Sequence, residues 1–517
     1  MTKQTFLQGT LILIAAGMVT RLLGFINRIV VARVMGEEGV GLYMMALPTL
    51  ILAITLTQFG LPVAISKRVA EAEASGNTAK IKQILIVSLT LTGALSILFT
   101  TLMIAGAPII AKWFLTDVRA LYPLMAISPI VPITAISAVI RGYFQGRQNM
   151  KPQAVSQVLE QIVRISCVYF LTHLMLPYGI EYAAAGAMFS VIIGELVSLL
   201  YMMRMFTIKK SFQLRHKWKN YLGKGKETLN ELLSIALPTT GSRLVGSITY
   251  FFEPILVAQS LAIAGLTTAE TTRQYGELTG YLLPLLFLPT FITHSLSVAL
   301  IPSISEAAAK GEKGLIQYRM TQSIRLSLAS GGLATVVLMV FPIILLNLMY
   351  GTANAASLLT FMAPFFLLLY IQAPLQASLQ AMDMAKPAMW NSVIGSIVKF
   401  VVLIGLASQP QFGIQGVAIA MITGVLVVTF LHIVSLMRHA DFQVPWMVLF
   451  KTGLLMVILS FTATRMKHLT FLDASTLSQF LPILFILAIL YIMLLFILKL
   501  ITFEELKQLP FKKKPRP

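Results

Sequence analysis

Apolar runs of about twenty residues recur along the whole chain, each long enough to cross a bilayer as a helix. Their approximate limits are 10–32, 40–61, 82–107, 121–142, 154–175, 183–206, 231–262, 278–300, 325–349, 357–381, 389–408, 413–436, 445–465 and 479–501, roughly fourteen spans. No polar segment between them is long enough to fold as a soluble domain. In lipid, a helix satisfies its own backbone hydrogen bonds, so the pattern predicts an all-α polytopic membrane protein. Composition agrees: 57% of the 517 residues are hydrophobic and 12% are charged, with a mean hydropathy of +0.82, beyond what a soluble domain of this length tolerates.

The polar positions set the topology. A formal net charge of +20 would suggest nucleic acid for a soluble chain. Here the basic residues gather in alternate loops, and no nucleic-acid partner is expected. One set holds Lys67, Arg68, Lys80 and Lys82, and the next Arg141, Arg147 and Lys151. The 207–230 segment, Lys310, Lys313 and Arg319, and finally Lys512, Lys513, Lys514 and Arg516 complete it. Loops such as 351–357 carry no positive charge. Positive loops stay inside, so both termini are expected in the cytoplasm, on the inner side of the cell membrane. The linker reads as a topology determinant lying on anionic membrane lipid, with a gate or partner-binding role as the alternative. The single cysteine, Cys167, excludes an intrachain disulfide and makes a thiolate metal site unexpected. No cofactor is implied. The first apolar run lacks a small-residue cleavage pattern and is expected to stay as an anchor.

The chain also repeats itself. "TRLLG" at 20–24 matches "SRLVG" at 242–246, and "AEAEASGN" at 70–77 matches "SEAAAKGE" at 305–312. In the register of that second match, Pro152 falls on Pro387 and Arg164 on Lys399. Two parallel six-helix pseudo-repeats follow, because six is even and both copies then share one orientation. Transporters that rock one half against the other use such repeats. The expected domains are an N-terminal six-helix bundle (1–206), a basic cytoplasmic linker (207–230), a second six-helix bundle (231–440), two additional helices (441–503) and a basic cytoplasmic tail (504–517).

Charge inside the spans points to chemistry. At 100° per residue, Gly17, Arg21, Gly24 and Arg28 share one stripe of the first span, and Ile12, Val19, Leu23, Ile26 and Val30 lie opposite. That is a helix with a lipid face and a polar face. Glycines on the polar stripe either allow close backbone approach or leave room for a ligand. In the seventh span, Thr239, Arg243, Gly246 and Tyr250 form a similar stripe, with Glu253 near its edge beside Pro254. The fifth span clusters Gln157, Glu160, Gln161 and Arg164, and its repeat partner offers Ser392, Ser396 and Lys399.

An arginine at the bilayer centre costs about 2.5–3.5 kcal/mol on insertion scales. Arg21, Arg164 and Arg243 are therefore paired or line a wet cavity. Arg164 can pair with Glu160, Arg243 with Glu253, and Glu195 is a further candidate partner. Arg21 has no acid on its own helix, and Arg28 can snorkel to an interface. A cavity rich in arginine and poor in acid suits an anion, and the planar guanidinium suits phosphate. The candidate substrate-binding residues are Arg21, Arg28, Arg164, Arg243, Lys399 and Glu253. Gln372, Gln376 and Gln380 line one face of the tenth span, for interhelical bonds or sugar hydroxyls. His294 and His432 are expected to be hydrogen-bonded within the bundle, with proton coupling the alternative.

The stretches "TRLLGFINRIVVARVMGEEGVGLYMMALP", "GLPVAISKRVAEAEASGN" and "RGYFQGRQNMKP" resemble the multidrug/oligosaccharidyl-lipid/polysaccharide exporter superfamily, in particular its lipid-linked oligosaccharide flippases. The resemblance covers nearly the whole chain. It implies a transporter rather than an enzyme, moving a lipid-linked peptidoglycan or polysaccharide precursor across the cytoplasmic membrane by alternating access, in spore cortex synthesis. It matches Arg21 to a cavity arginine of the lipid II flippases. Those continue with Arg-Asp where this chain has Asn27-Arg28, so the second charge is shifted by one position and the acid is missing. They also carry basic residues in the second span, where "LPTLILAITLTQ" has none. By the same resemblance, the spans after Val444 form a groove for a lipid tail. A coupling ion, sodium or proton, stays open. Competing readings are a cation-coupled multidrug antiporter and a cell-wall polymerase or non-transporting scaffold. The outer segment "AGLTTAETTRQYGEL" is short and holds no aspartate, which disfavours a polymerase.

Overall fold

The computed structural model describes residues 6–209, 225–467 and 477–502, and every regular element among them is a helix. Twelve stretches are long and apolar enough to cross a membrane, or thirteen with the bent pair Thr268–Phe287 and Thr290–Ala309. The first of these runs for 60 residues, from Ala15 to Ala74. At 1.5 Å per residue it would be about 90 Å long, far more than a bilayer of about 30 Å. It is in fact broken: helix α1, Phe6–Gln58, leaves helical geometry at Gly36 (φ 67°, ψ −172°), a conformation that glycine adopts without a Cβ clash. Counted as two spans, it restores the fourteen read from the sequence. The basic linker is described only at 207–209 and 225–230, and the tail at 504–517 lies outside the described residues.

By packing, the chain divides into two compact units, one reaching to Tyr281 and including Ser408–Gln411, the other holding the remainder. The first contains α1, α2 (Leu61–Ala74), α3 (Thr78–Ile109), α4 (Leu121–Ile127), α5 (Ile130–Gly146), α6 (Lys151–Met175), α7 (Ile180–Lys209), α8 (Gly225–Ile263) and α9 (Thr268–Gly276). Its boundaries are written in local chemistry. Gly60 adopts the left-handed region before α2, with Pro62 in the first turn. Asn77 caps α3 by accepting from the Lys80 amide at 2.9 Å. Gly179, at φ 140°, separates α6 from α7. Leu61, Ile65, Ile81, Tyr143, Met202 and Leu232 are all buried in one core that joins α2, α3, α5, α7 and α8.

Small residues set how close these helices come. A Cβ on Gly146 would lie 2.6 Å from the Ser66 carbonyl, and one on Gly142 2.9 Å from that of Pro62. A Cβ on Gly41 or Gly276 would overlap backbone atoms of Thr272 or Glu37, respectively. The packing division after Tyr281 differs from the repeat boundary, since α8, which heads the second repeat in sequence, packs within the first unit.

The second unit holds α10 (Leu283–Phe287), α11 (Thr290–Ala309), α12 (Lys313–Val340), α13 (Pro342–Tyr350), α14 (Ala356–Phe366), α15 (Leu369–Ala381), α16 (Ala385–Ala407), α17 (Gly413–Ala440), α18 (Trp446–Lys467) and α19 (Leu477–Ile497). The last two form a core with α12 through Leu455, Leu459, Ile483, Leu487, Val336 and Val337. Tyr491 Oη donates to the Ala329 carbonyl at 2.5 Å.

The repeat has a structural signature. In the first unit α7 presents Gly194 to the Arg164 side chain, so that an added Cβ would lie 3.2 Å from Arg164 Cβ. In the second, α17 presents Gly424 to Lys399 at 3.3 Å from its Cβ. Arg164 and Lys399 are the pair matched by the sequence register.

Candidate functional site

The polar stripe of α1 faces room rather than a packed neighbour for part of its length. A Cβ on Gly17 would meet nothing within 4 Å, while one on Gly24 would come 3.9 Å from Gln161 Oε1 of α6. The glycine stripe of α8 behaves likewise: Gly246 has open space in front of it. Arg21 and Arg243 are exposed and Arg28 is half-buried. None of the three makes an ion pair or a side-chain hydrogen bond with a described residue. The pairing of Arg243 with Glu253, one of the two readings of the sequence, is therefore not the arrangement adopted.

Tyr43, after the Gly36 break, lies within Coulombic range of both Arg28 and Arg164. Tyr250 of α8 lies within range of Arg28 and Glu253. The first unit thus gathers Arg28, Arg164, Glu253 and two tyrosine hydroxyls from α1, α6 and α8. Thr55 Oγ1 and Ser247 Oγ, 2.8 Å apart, tie α1 to α8. Glu253 is 8% exposed and has a partner, so it is part of the wall rather than a free acid. Asn27 is buried and its Oδ1 has no hydrogen-bond partner. Thr239 lies outside the described side chains.

Arg164 takes the paired reading: its guanidinium bonds to Glu160 one turn earlier on α6. Glu195 of α7 accepts from Arg141 Nη2 of α5 at 2.7 Å. The two ion pairs come from α5, α6 and α7, where Gly194 of α7 packs against the Glu160 carbonyl of α6. Sequence reading placed Arg141 among loop residues and gave Glu195 no definite partner. Nothing local could have joined residues that far apart on different helices. A second cluster was also missed. Arg119 bonds to Glu38 at 2.7 Å and to Asp117 at 2.9 Å, and Asp117 Oδ2 accepts from Thr272 Oγ1 at 2.7 Å.

Lys399 lies in the second unit, half-buried, with its ammonium 5.0 Å from the Phe400 ring centre. Gln372 bonds between helices, donating to the Val425 carbonyl at 2.8 Å and to Thr429 Oγ1 at 2.9 Å. His432 is 1% exposed, and its Nδ1 stands 3.1 Å from Asn391 Nδ2, a bond within the bundle as expected from the sequence.

Residues 6–308 match the family described as polysaccharide biosynthesis protein. Stage V sporulation protein B of Bacillus subtilis (strain 168) is 53% identical over 510 residues, covering 99% of this chain and 98% of that protein. Lipid II flippase MurJ of the same organism is 24% identical over 489 residues, covering 88% and 86%. The solved structure of lipid II flippase MurJ in an inward closed conformation superposes with a TM-score of 0.69 at 15% identity, covering 96% of this chain and 99% of that one. The last likeness carries the fold.

Proposed function

Because the chain belongs to the polysaccharide biosynthesis protein family, within the multidrug/oligosaccharidyl-lipid/polysaccharide exporter superfamily, we propose that it is a flippase for a lipid-linked glycan precursor. Its cargo is a peptidoglycan or polysaccharide unit joined to a lipid through a diphosphate. It crosses the cytoplasmic membrane by alternating access, with both protein termini on the cytoplasmic side. The sporulation name of the 53% identical relative supports a role in building the spore cortex. The lipid II flippase among its relatives supports the cargo class.

The observation that carries this reading is the set of three guanidinium groups, on Arg21, Arg28 and Arg243, with no counter-charge among the described residues. A cation within a membrane span is tolerated when it is paired, hydrated or ligand-bound. A diphosphate diester supplies two negative charges and several acceptor oxygens, which match the fork of arginine. Gly17 and Gly246 leave the room that such a headgroup needs. A cationic drug would meet repulsion at the same wall. The alternation of states then moves the bound headgroup while the apolar tail stays in lipid.

Mass spectrometry of the protein purified from its native membrane tests this reading. A lipid-linked diphosphoryl glycan should co-purify with the wild type and be lost from the Arg21→Ala variant at equal protein level. Retention by Arg21→Ala, or co-purification of a lipid lacking phosphate instead, would remove the assignment. Efflux of cationic drugs by the purified protein would favour an antiporter.

A further inference from the structure

Gly24 stands between the two unpaired arginines of α1, three residues after Arg21 and four before Arg28. Those spacings put the three on one helix face, each about one turn from the next. A Cβ on Gly24 would meet a single atom within 4 Å, Oε1 of Gln161 on α6, at 3.9 Å. Gln161 therefore reaches α1 between the two guanidinium-bearing turns. Its Oε1 is buried and has no hydrogen-bond partner. The side chain as a whole is half-buried, and the soft terminal torsion of glutamine lets the amide turn toward its accessible edge. Asn27, about one turn beyond Gly24 on α1, is 6% exposed, and its Oδ1 is likewise buried and unpartnered. A buried acceptor without a donor is costly. Two of them beside a cationic stripe mark a place where a ligand supplies the missing N–H or O–H groups.

We propose that Gln161, together with Asn27, forms a sugar-reading subsite beside the diphosphate site and takes the 2-acetamido group of the first sugar. This rests on the diphosphate reading of Arg21 and Arg28. The order of groups in the ligand sets the placement. A glycosyl diphosphate joins its outer phosphate to the anomeric carbon, so the substituent on the neighbouring ring carbon is the sugar group next to the phosphate. With the diphosphate held by Arg21 and Arg28, that substituent meets the turn between them, where Gln161 stands. A carboxamide side chain offers an acceptor oxygen beside N–H donors. An acetamido group presents the complement, an N–H and a carbonyl, so one side-chain amide can engage both. A hydroxyl at the same ring position fills only one of the two places. An uncharged amide also suits this position electrostatically, because a carboxylate there would repel the diphosphate and an ammonium would bind phosphate instead of sugar. The missing side chain of Gly24 leaves the sugar ring its path to the amide.

The test measures the affinity of full-length protein in nanodiscs for short-chain prenyl diphosphate diesters of equal charge: the N-acetylglucosaminyl, the glucosyl and the methyl ester. The wild type should bind the first about tenfold more tightly than the second, and the third more weakly still. Gln161→Leu should abolish this ranking and bind all of them about equally. Gly24→Ala adds a methyl that fits beside Gln161 and favours the helix. It should narrow the preference for the acetamido sugar without lowering Tm, which guards against a folding defect in the first variant. Equal affinity of the wild type for every diester overturns the sugar subsite and leaves the diphosphate site standing. A preference retained in full by both variants overturns the assignment to Gln161. Glucosyl binding as tight as N-acetylglucosaminyl binding overturns the acetamido reading. No binding of any diester by the wild type removes the diphosphate site and the subsite with it.

Discussion

A guanidinium in a bilayer is informative because it is expensive, and the arginines of the first unit answer that cost in two ways. Arg164 and Arg141 meet acids, whereas Arg21, Arg28 and Arg243 do not. The unpaired three are the ones a diphosphate would satisfy. A hydrogen bond to a charged group contributes about 1.5–3 kcal/mol. Alanine at Arg21 or Arg243 should thus weaken binding of a prenyl-diphosphoryl sugar by about tenfold to a hundredfold, with an unchanged elution profile in size exclusion. Arg21→Lys should recover only part of the loss, since a point charge lacks the planar fork. Wild-type affinity in all three variants would rule out direct contact. The stripes carrying these residues were legible in the sequence because a 3.6-residue period reports which side chains share a face. The pairing of Arg141 with Glu195 was not, because periodicity within one helix does not identify a partner on another.

Helices here are positioned by what glycine permits. The length of the apolar runs predicted two spans before residue 61, and Gly36 is where the chain breaks between them. Gly194 and Gly246 look alike in sequence, each a glycine in an apolar helix, yet the structure separates them. Gly194 sits under the Glu160 carbonyl, while Gly246 faces open space. Gly194→Val should cost about 1–3 kcal/mol through overpacking, seen as a lower Tm in detergent. Gly246→Leu should leave Tm unchanged or raised, since it improves helix propensity by up to about 1 kcal/mol. It should weaken ligand binding by filling the space beside Arg243. The reverse pattern of stabilities would contradict these packing assignments. At the carboxy end, Tyr491 Oη is the polar tie between α19 and α12. Tyr491→Phe should lower stability by about 1 kcal/mol, and an unchanged Tm would show that this hydrogen bond adds nothing to the packing of α19 on α12.

At the scale of the molecule, the fold class and span number followed from hydropathy, and the repeat followed from four short matches. The structural counterpart of the repeat, a glycine pressed against Arg164 in one unit and against Lys399 in the other, could not be read from those matches alone. Packing also departs from sequence order, with α8 joining the first unit. That places Arg243 and Glu253 in the same unit as Arg21, Arg28 and Arg164, so the anion-binding wall proposed here is built within one unit. The most direct test of that wall is transport itself. Proteoliposomes carrying fluorescent lipid II on one leaflet, or a control lipid with the same tail and sugars but no diphosphate, would be assayed for movement to the other leaflet. Wild-type protein should move lipid II and not the control, and Arg21→Ala should move neither. Equal movement of both lipids, or lipid II flipping by Arg21→Ala at the wild-type rate, would contradict the account.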